Sequence, residues 1–267
     1  MSKTDTLAWP VEKTGHRPVL PIIPLIAIVL FSCVPACAQS FSVQPTRVFF
    51  DRNTKAQKLV IRNKSAADLS LQVAAYKWSQ DADGRDIYEN TSEIVIFPRI
   101  FKVREGEQRL VRLGTTSGPA PRERTYRVFV EELPVEDPRQ PRSGIDLVFK
   151  VGIPVFLSPH QDSREALSIS LAVEKGKVLV NALNNDNAHT TIESISMIGQ
   201  DSRGKEIFSK SLNGWYILSG SSKIYRADIP QAICTRLARL RAVVTTARSS
   251  SENVVEVTGG MCGPPAK

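Results

Sequence analysis

From Ile145 to Leu157 every second residue is apolar: Ile145, Leu147, Phe149, Val151, Ile153, Val155 and Leu157. A period of two predicts a β-strand with one apolar face. The other parity is mixed, and it contains Pro154. Proline cannot donate to a ladder, which argues for an edge strand or a bulge. A long apolar edge invites pairing with a second chain unless something covers it. Two readings are open at this point. The stretch is either a sandwich strand whose apolar face fills the core, or a strand lent to another protein by β-augmentation.

The same alternation recurs upstream in shorter pieces. It predicts strands over Phe41–Phe50 with a kink at Pro45, over Lys58–Arg62, and over Leu69–Trp78. Ile94–Phe101 is broken at Pro98, where a strand ends or switches sheets, and Arg109–Leu113 and Thr125–Leu133 follow. Polar, Gly- and Pro-bearing stretches separate them, and no helical period appears. About seven short strands at this spacing predict an antiparallel β-sandwich. Ser158-Pro159-His160 marks a domain boundary. A second set of strands follows in LSISLAVE, KVLVNAL, TIESISMIG, KEIFSK, KIYRADI and RLRAVVTTA, with a helical turn expected near Gln231–Leu240. The fold class is therefore all-β with two sandwich domains, over residues 39–158 and 159–267.

At 267 residues the chain has room for two domains, and 42% apolar with 23% charged residues fits globular structure, not disorder. The formal charge of +8 permits acidic partners, but the basic residues are scattered and no run of five occurs. Nucleic-acid binding is therefore not expected. Ahead of the first strand, a polar segment with Lys3, Lys13 and Arg17 precedes the apolar stretch Val19–Phe31 and then Ala36-Cys37-Ala38. That order predicts a signal peptide over residues 1–38, cleaved after Ala38, and no stable membrane insertion afterwards. Cleavage removes Cys33 and Cys37 and leaves Cys234 and Cys262. An even pair in an oxidising compartment predicts one disulfide.

Catalytic signals are sparse. GxSxG, HExxH, CxxC and a Gly-rich phosphate loop are all missing from the sequence, and His160 and His189 lack metal-ligand neighbours. Asp81, Asp83 and Gly84 form a solvated turn rather than a calcium loop. The expectation is no enzyme, no metal and no cofactor. Trp78 and Trp215 are isolated in the sequence and read as core or rim packing. Three arginines stand out because they lie inside strands: Arg47, Arg112 and Arg127. Each either points outward and snorkels or offers a planar fork to a carboxylate.

In order, the chain presents PTRVFFD, a strand ending in KWSQD, FPRIFKVREGEQRLVRLG, TYRVFVEELP, a Pro-rich loop and IDLVFKVGIPVFLSP, before the second β-domain. This resembles the periplasmic pilus-assembly chaperones of the chaperone–usher pathway, the PapD-like family, and most of all its archaic branch. The resemblance is strong over Phe41–Pro159 and weak beyond. It implies two immunoglobulin-like domains set at an angle as a boomerang. It also implies a periplasmic location, pilin-type protein subunits and an outer-membrane usher as partners, and no ATP. The opening stretch would be the strand lent to a subunit. Ile145, Leu147, Phe149, Val151 and Ile153 would supply its side chains. The resemblance further implies a basic clamp for the subunit's C-terminal carboxylate. Arg47 matches its first member, but the expected strand lysine is Pro154 here. Lys150 has the same parity yet lies roughly 13 Å away along a strand. Arg127 or Arg112 is then expected to take over. The alternative is an exported β-sandwich adhesin or structural pilus subunit. Such a subunit would carry an alternating extension after the signal, whereas here the mature chain runs straight into a strand.

Overall fold

In the computed structural model, residues 40–134, 147–162 and 166–263 are described. The expected signal peptide lies outside them, as does Ile145. The first sandwich contains two sheets. One has the order β1 (Phe41–Gln44), β3 (Ala56–Asn63), β8 (Gln108–Thr115), β6 (Ile94–Phe97). The other has the order β2 (Val48–Phe50), β10 (Lys150–Leu157), β9 (Arg124–Glu132), β4 (Leu69–Gln80), β5 (Asp86–Asn90), and β7 (Ile100–Val103) also pairs with β4.

Both sheet switches fall at the predicted prolines. Pro45 separates β1, which pairs with β3, from β2, which pairs with β10. Pro98 separates β6, which pairs with β8, from β7, which pairs with β4. A residue without N–H interrupts the ladder on the side where it would donate, and at these two positions the chain leaves one sheet and joins the other. Alternate residues of both sheets fill the space between them. Phe41, Leu59, Ile61, Leu71, Val73, Val111, Leu113, Val128 and Val130 are all buried in this core.

The second sandwich repeats the plan with separate sheets. One is β11 (Leu167–Glu174), β12 (Lys177–Asn184), β16 (Ser222–Asp228). The other is β14 (Glu206–Asn213), β13 (Thr190–Gln200), β17 (Arg239–Thr246), β18 (Ser250–Glu256), with the two-residue β15 (Tyr216–Ile217) also on β13. The expected helical turn is α1 (Gln231–Cys234), which carries Cys234 into a disulfide with Cys262 at a Cα separation of 5.7 Å.

A buried apolar cluster joins the two sandwiches: Trp78 and Phe156 from the first meet Tyr216 and Leu218 from the second. Polar contacts flank it. The Gln80 amide donates to the Tyr216 carbonyl at 2.9 Å, and its oxygen accepts the Leu218 N–H at 2.9 Å. Glu123 accepts the His189 backbone N–H at 2.9 Å and pairs with its Nδ1 at 2.7 Å. The His189 ring stacks on Phe156 at 3.7 Å. Lys223 donates to the Gly84 carbonyl at 2.8 Å, and a β-carbon on Gly84 would lie 2.8 Å from that lysine side chain, so the hairpin loop can approach only as glycine.

Candidate functional site

The strand singled out in the sequence is held on one edge only. β9 pairs with all of Lys150–Leu157, whereas β2 pairs with Val155–Leu157 alone. Over Lys150–Pro154, no other described strand takes the second edge. Ahead of it, the Phe149 carbonyl still accepts the Glu132 N–H at 2.9 Å, so the extended path continues past the regular ladder. β10 is therefore paired at its C-terminal end and open at its N-terminal end.

Side-chain burial divides the apolar row in the same way. Ile153 is 3% exposed and lies in the first core with Val155 and Leu157. Phe149 and Val151 are half-buried against that core. Leu147 is 72% exposed, although a leucine loses favourable free energy when left in water. Of the row expected from the sequence, the structure thus puts Ile153 in the core and leaves Leu147 in solvent.

One strand in from the open edge lies a buried cation. Arg127 on β9 sits opposite Pro154 on one side and Tyr76 on the other. It is 8% exposed, and its Nε and Nη1 have no hydrogen-bond acceptor. Two indoles hold it instead: its guanidinium carbon lies 4.9 Å from the Trp78 ring centre and 5.6 Å from that of Trp215. Gly152 makes the room. A β-carbon there would stand 3.0 Å from Arg127 Nε and 2.9 Å from the Phe129 ring. On the opposite wall, Asp86 accepts the Trp215 indole N–H at 3.0 Å. Burial and the Asp86 charge, partly opposed by Arg127, raise the Tyr88 phenol above its usual range.

Arg47 lies exposed in the bend between β1 and β2, its guanidinium 5.7 Å from the Tyr216 ring centre. Tyr216 in turn meets Trp78 edge-on at 5.4 Å. Arg47 and Arg127 thus border one aromatic cluster. The structure does not bring Arg112 to them. It lies on β8 of the other sheet, exposed between Lys58 and Phe97. Lys150 is paired with Glu131 at 3.0 Å and lies over the Phe129 ring at 4.9 Å. Trp78 and Trp215 were read from the sequence as packing residues. Their tryptophan-on-arginine arrangement carries no sequence signal, because β4, β9 and the segment before β15 meet only in the fold.

Behind this face, Glu93 accepts hydrogen bonds from Ser117, Tyr126 and Arg124, which hold its carboxyl at about 2. Burial, then the Glu93 charge and hydrogen bond, push Tyr126 up to about 12. Among the described residues, no group of three or more His, Cys, Asp or Glu is placed to hold a metal ion. No described helix is long and apolar enough to cross a membrane.

Residues 40–162 match the family model described as pili and flagellar-assembly chaperone, PapD N-terminal domain. No curated protein matches the chain by sequence. Solved structures do match by fold. One is the CsuC–CsuE chaperone–tip adhesion subunit pre-assembly complex from archaic chaperone-usher Csu pili of Acinetobacter baumannii. It is 20% identical, covers 82% of this chain and 99% of that one, and has a TM-score of 0.57. The Pseudomonas aeruginosa CupB2 chaperone is 16% identical over 81% and 100%, with a TM-score of 0.50. The Salmonella enterica SafA pilin in complex with the SafB chaperone is 16% identical over 81% and 96%, with a TM-score of 0.50. At these identities the likeness is one of fold.

Proposed function

Residues 40–162 match the PapD N-terminal domain of pilus-assembly chaperones, and from that premise we propose that this chain is a PapD-like chaperone that holds pilin-type subunits in the periplasm by strand complementation. The observation that carries the reading is the half-open β10. Its C-terminal end is locked between β9 and β2, while Lys150–Pro154 and the extended residues before it keep a free edge. A strand fixed at one end and open at the other can add to an incomplete sheet without leaving its own. Main-chain hydrogen bonds supply generic affinity. The exposed and half-buried side chains of Leu147, Phe149 and Val151, with Ile145 ahead of them, supply register in the subunit groove. Ile153 would serve as the pivot between the chaperone core and the lent segment.

The subunit's C-terminal carboxylate would be anchored by Arg127 together with Arg47. A buried guanidinium with two nitrogens unpaired, Nε and Nη1, is a site waiting for an acceptor, since such donors are costly to leave unmade. It also accounts for Pro154. The cation expected on β10 is supplied from β9, directly across from the proline. Arg112, on the other sheet, takes no part in this clamp. Residues 1–38 would be the cleaved export signal, with the donor-bearing domain over 39–158 and the second sandwich over 159–267. Like the chaperones of the CsuC–CsuE and SafB–SafA complexes, this chain would hold pilin or tip subunits, and it would then pass them to an outer-membrane usher. The archaic branch is favoured by the opening motifs and by the Csu neighbour.

The test is co-expression with the products of neighbouring reading frames, followed by co-purification. Wild type should retain a subunit in a one-to-one complex. Leu147→Arg should fold normally and retain none. If the folded variant still holds the same subunit, the strand is only scaffold and the adhesin reading gains.

A further inference from the structure

The two walls around Arg127 are not equivalent. Trp78 is 2% exposed, packed on Phe156 and Tyr216 inside the cluster that joins the sandwiches. It cannot leave without opening that cluster. Trp215 is 38% exposed. Its ring is held by one hydrogen bond, from Nε1 to half-buried Asp86, and by an edge contact with Tyr216 at 5.6 Å. Its backbone, by contrast, is fixed. A β-carbon on the preceding Gly214 would fall 1.9 Å from the Ile192 carbonyl, and the Trp215 carbonyl accepts the Ile192 N–H at 3.0 Å. A rigid backbone therefore carries a loosely held ring, and exposed side chains change rotamer in picoseconds to nanoseconds.

The buried atoms identify what the ring does. Nε and Nη1 of Arg127 are shut off from solvent, so no carboxylate can reach them with both indoles in place. Of the two, Trp215 is the one that can move. We propose that Trp215 is a displaceable cap on the carboxylate anchor. In the free chain its π-face stands in for the missing anion, and an arriving C-terminal carboxylate takes its place. This rests on the reading of Arg127 as an anchor and adds a role for the second sandwich within it. The exchange is chemically matched. A ring face offers the cation partial compensation, whereas a carboxylate offers two charge-assisted hydrogen bonds. Selectivity follows, because a backbone amide or hydroxyl carries no charge to set against the lost cation–ring contact.

Phenylglyoxal, which modifies accessible guanidinium groups, reads the cap directly when labelling at Arg127 is followed by mass spectrometry. The probe ligand is sodium N-acetylalaninate, the simplest C-terminal carboxylate, with N-acetylalaninamide as control at equal ionic strength. Wild type should label slowly. Trp215→Ala should label on the order of tenfold faster, as expected for loss of one desolvated cation–ring contact. Trp215→Phe, which keeps a ring in place, should stay near wild type, and near-ultraviolet circular dichroism identifies any variant that has not folded. The carboxylate, but not the amide, should protect Arg127, and at lower concentration in Trp215→Ala than in wild type. Unchanged labelling in folded Trp215→Ala, with protection by the carboxylate retained, overturns the cap and leaves the anchor standing. Fast labelling that the carboxylate does not slow removes the anchor and the cap with it.

Discussion

At the scale of single residues, Arg127 separates stability from function. Its two buried nitrogens without acceptors, Nε and Nη1, cost free energy, and the two ring contacts return part of it. Arg127→Met should leave the free chain within about 1 kcal/mol of wild-type stability, since an apolar group of similar length replaces an unsatisfied one. The same variant should lose subunit retention, as read by denaturant melts beside co-purification. A strong destabilisation would show instead that the guanidinium is structural. Glu93 makes a second residue-scale prediction. Its folded carboxyl is depressed to about 2 from an ordinary value of 4.5, so the stability it adds is fully present above about pH 4.5. That stability is lost as pH falls through the folded value near 2. Melts across this window should steepen in wild type and flatten in Glu93→Gln. Little of this was legible in the sequence. Arg127 stands out as a charge inside an apolar strand, but its unpaired nitrogens and its indole walls arise only when β4, β9 and the Trp215 segment converge.

At the scale of elements, β10 is two strands in one. Its C-terminal half belongs to the first core and its N-terminal end projects from it. Ile153→Ala should therefore cost about 2–5 kcal/mol, as a buried large-to-small change does. Leu147→Ala, in solvent, should cost less than about 0.5 kcal/mol. Chemical denaturation of the two variants tests this, and equal losses would mean that the row is buried as a unit. The alternation from Ile145 to Leu157 announced a strand and Pro154 an open edge, but period alone could not say where core ends and projection begins. That division is set by the length of β2, which reaches only Val155–Leu157. The prolines at 45 and 98 are legible as breaks because a missing N–H interrupts a ladder, whereas Pro154 stays inside β10 on its open edge. β5 and β18 left no trace in the apolar pattern. Asp86–Asn90 is exposed on nearly every residue, and Ser250–Glu256 alternates between exposed and half-buried polar positions.

At the scale of the whole molecule, the two sandwiches are unequal in what closes them. The first is sealed by its own core and by β10. The second ends in a tail that reaches back to α1 through Cys234–Cys262, and both sulfurs are buried in its core. Counting the cysteines beyond the expected signal peptide predicts this pairing, and the bridge spans 28 residues. A loop of that length stabilises a fold by about 3 kcal/mol, chiefly by restricting the unfolded chain. Replacing both cysteines by alanine should therefore lower the second sandwich by about that amount. The joint between them transmits the loss only as far as Trp78, Phe156, Tyr216 and the Gln80 hydrogen bonds hold it. Hydrogen exchange resolves the two cases. If the joint is weak, protection falls in β11–β18 and stays intact in β1–β10. If the joint is strong, both sets fall together and the melt remains a single transition. Because Trp215 belongs to the second sandwich, the joint-weak case carries a functional corollary. The cysteine-free chain should keep its open strand yet lose the ring over Arg127, and so label at that arginine as fast as Trp215→Ala does.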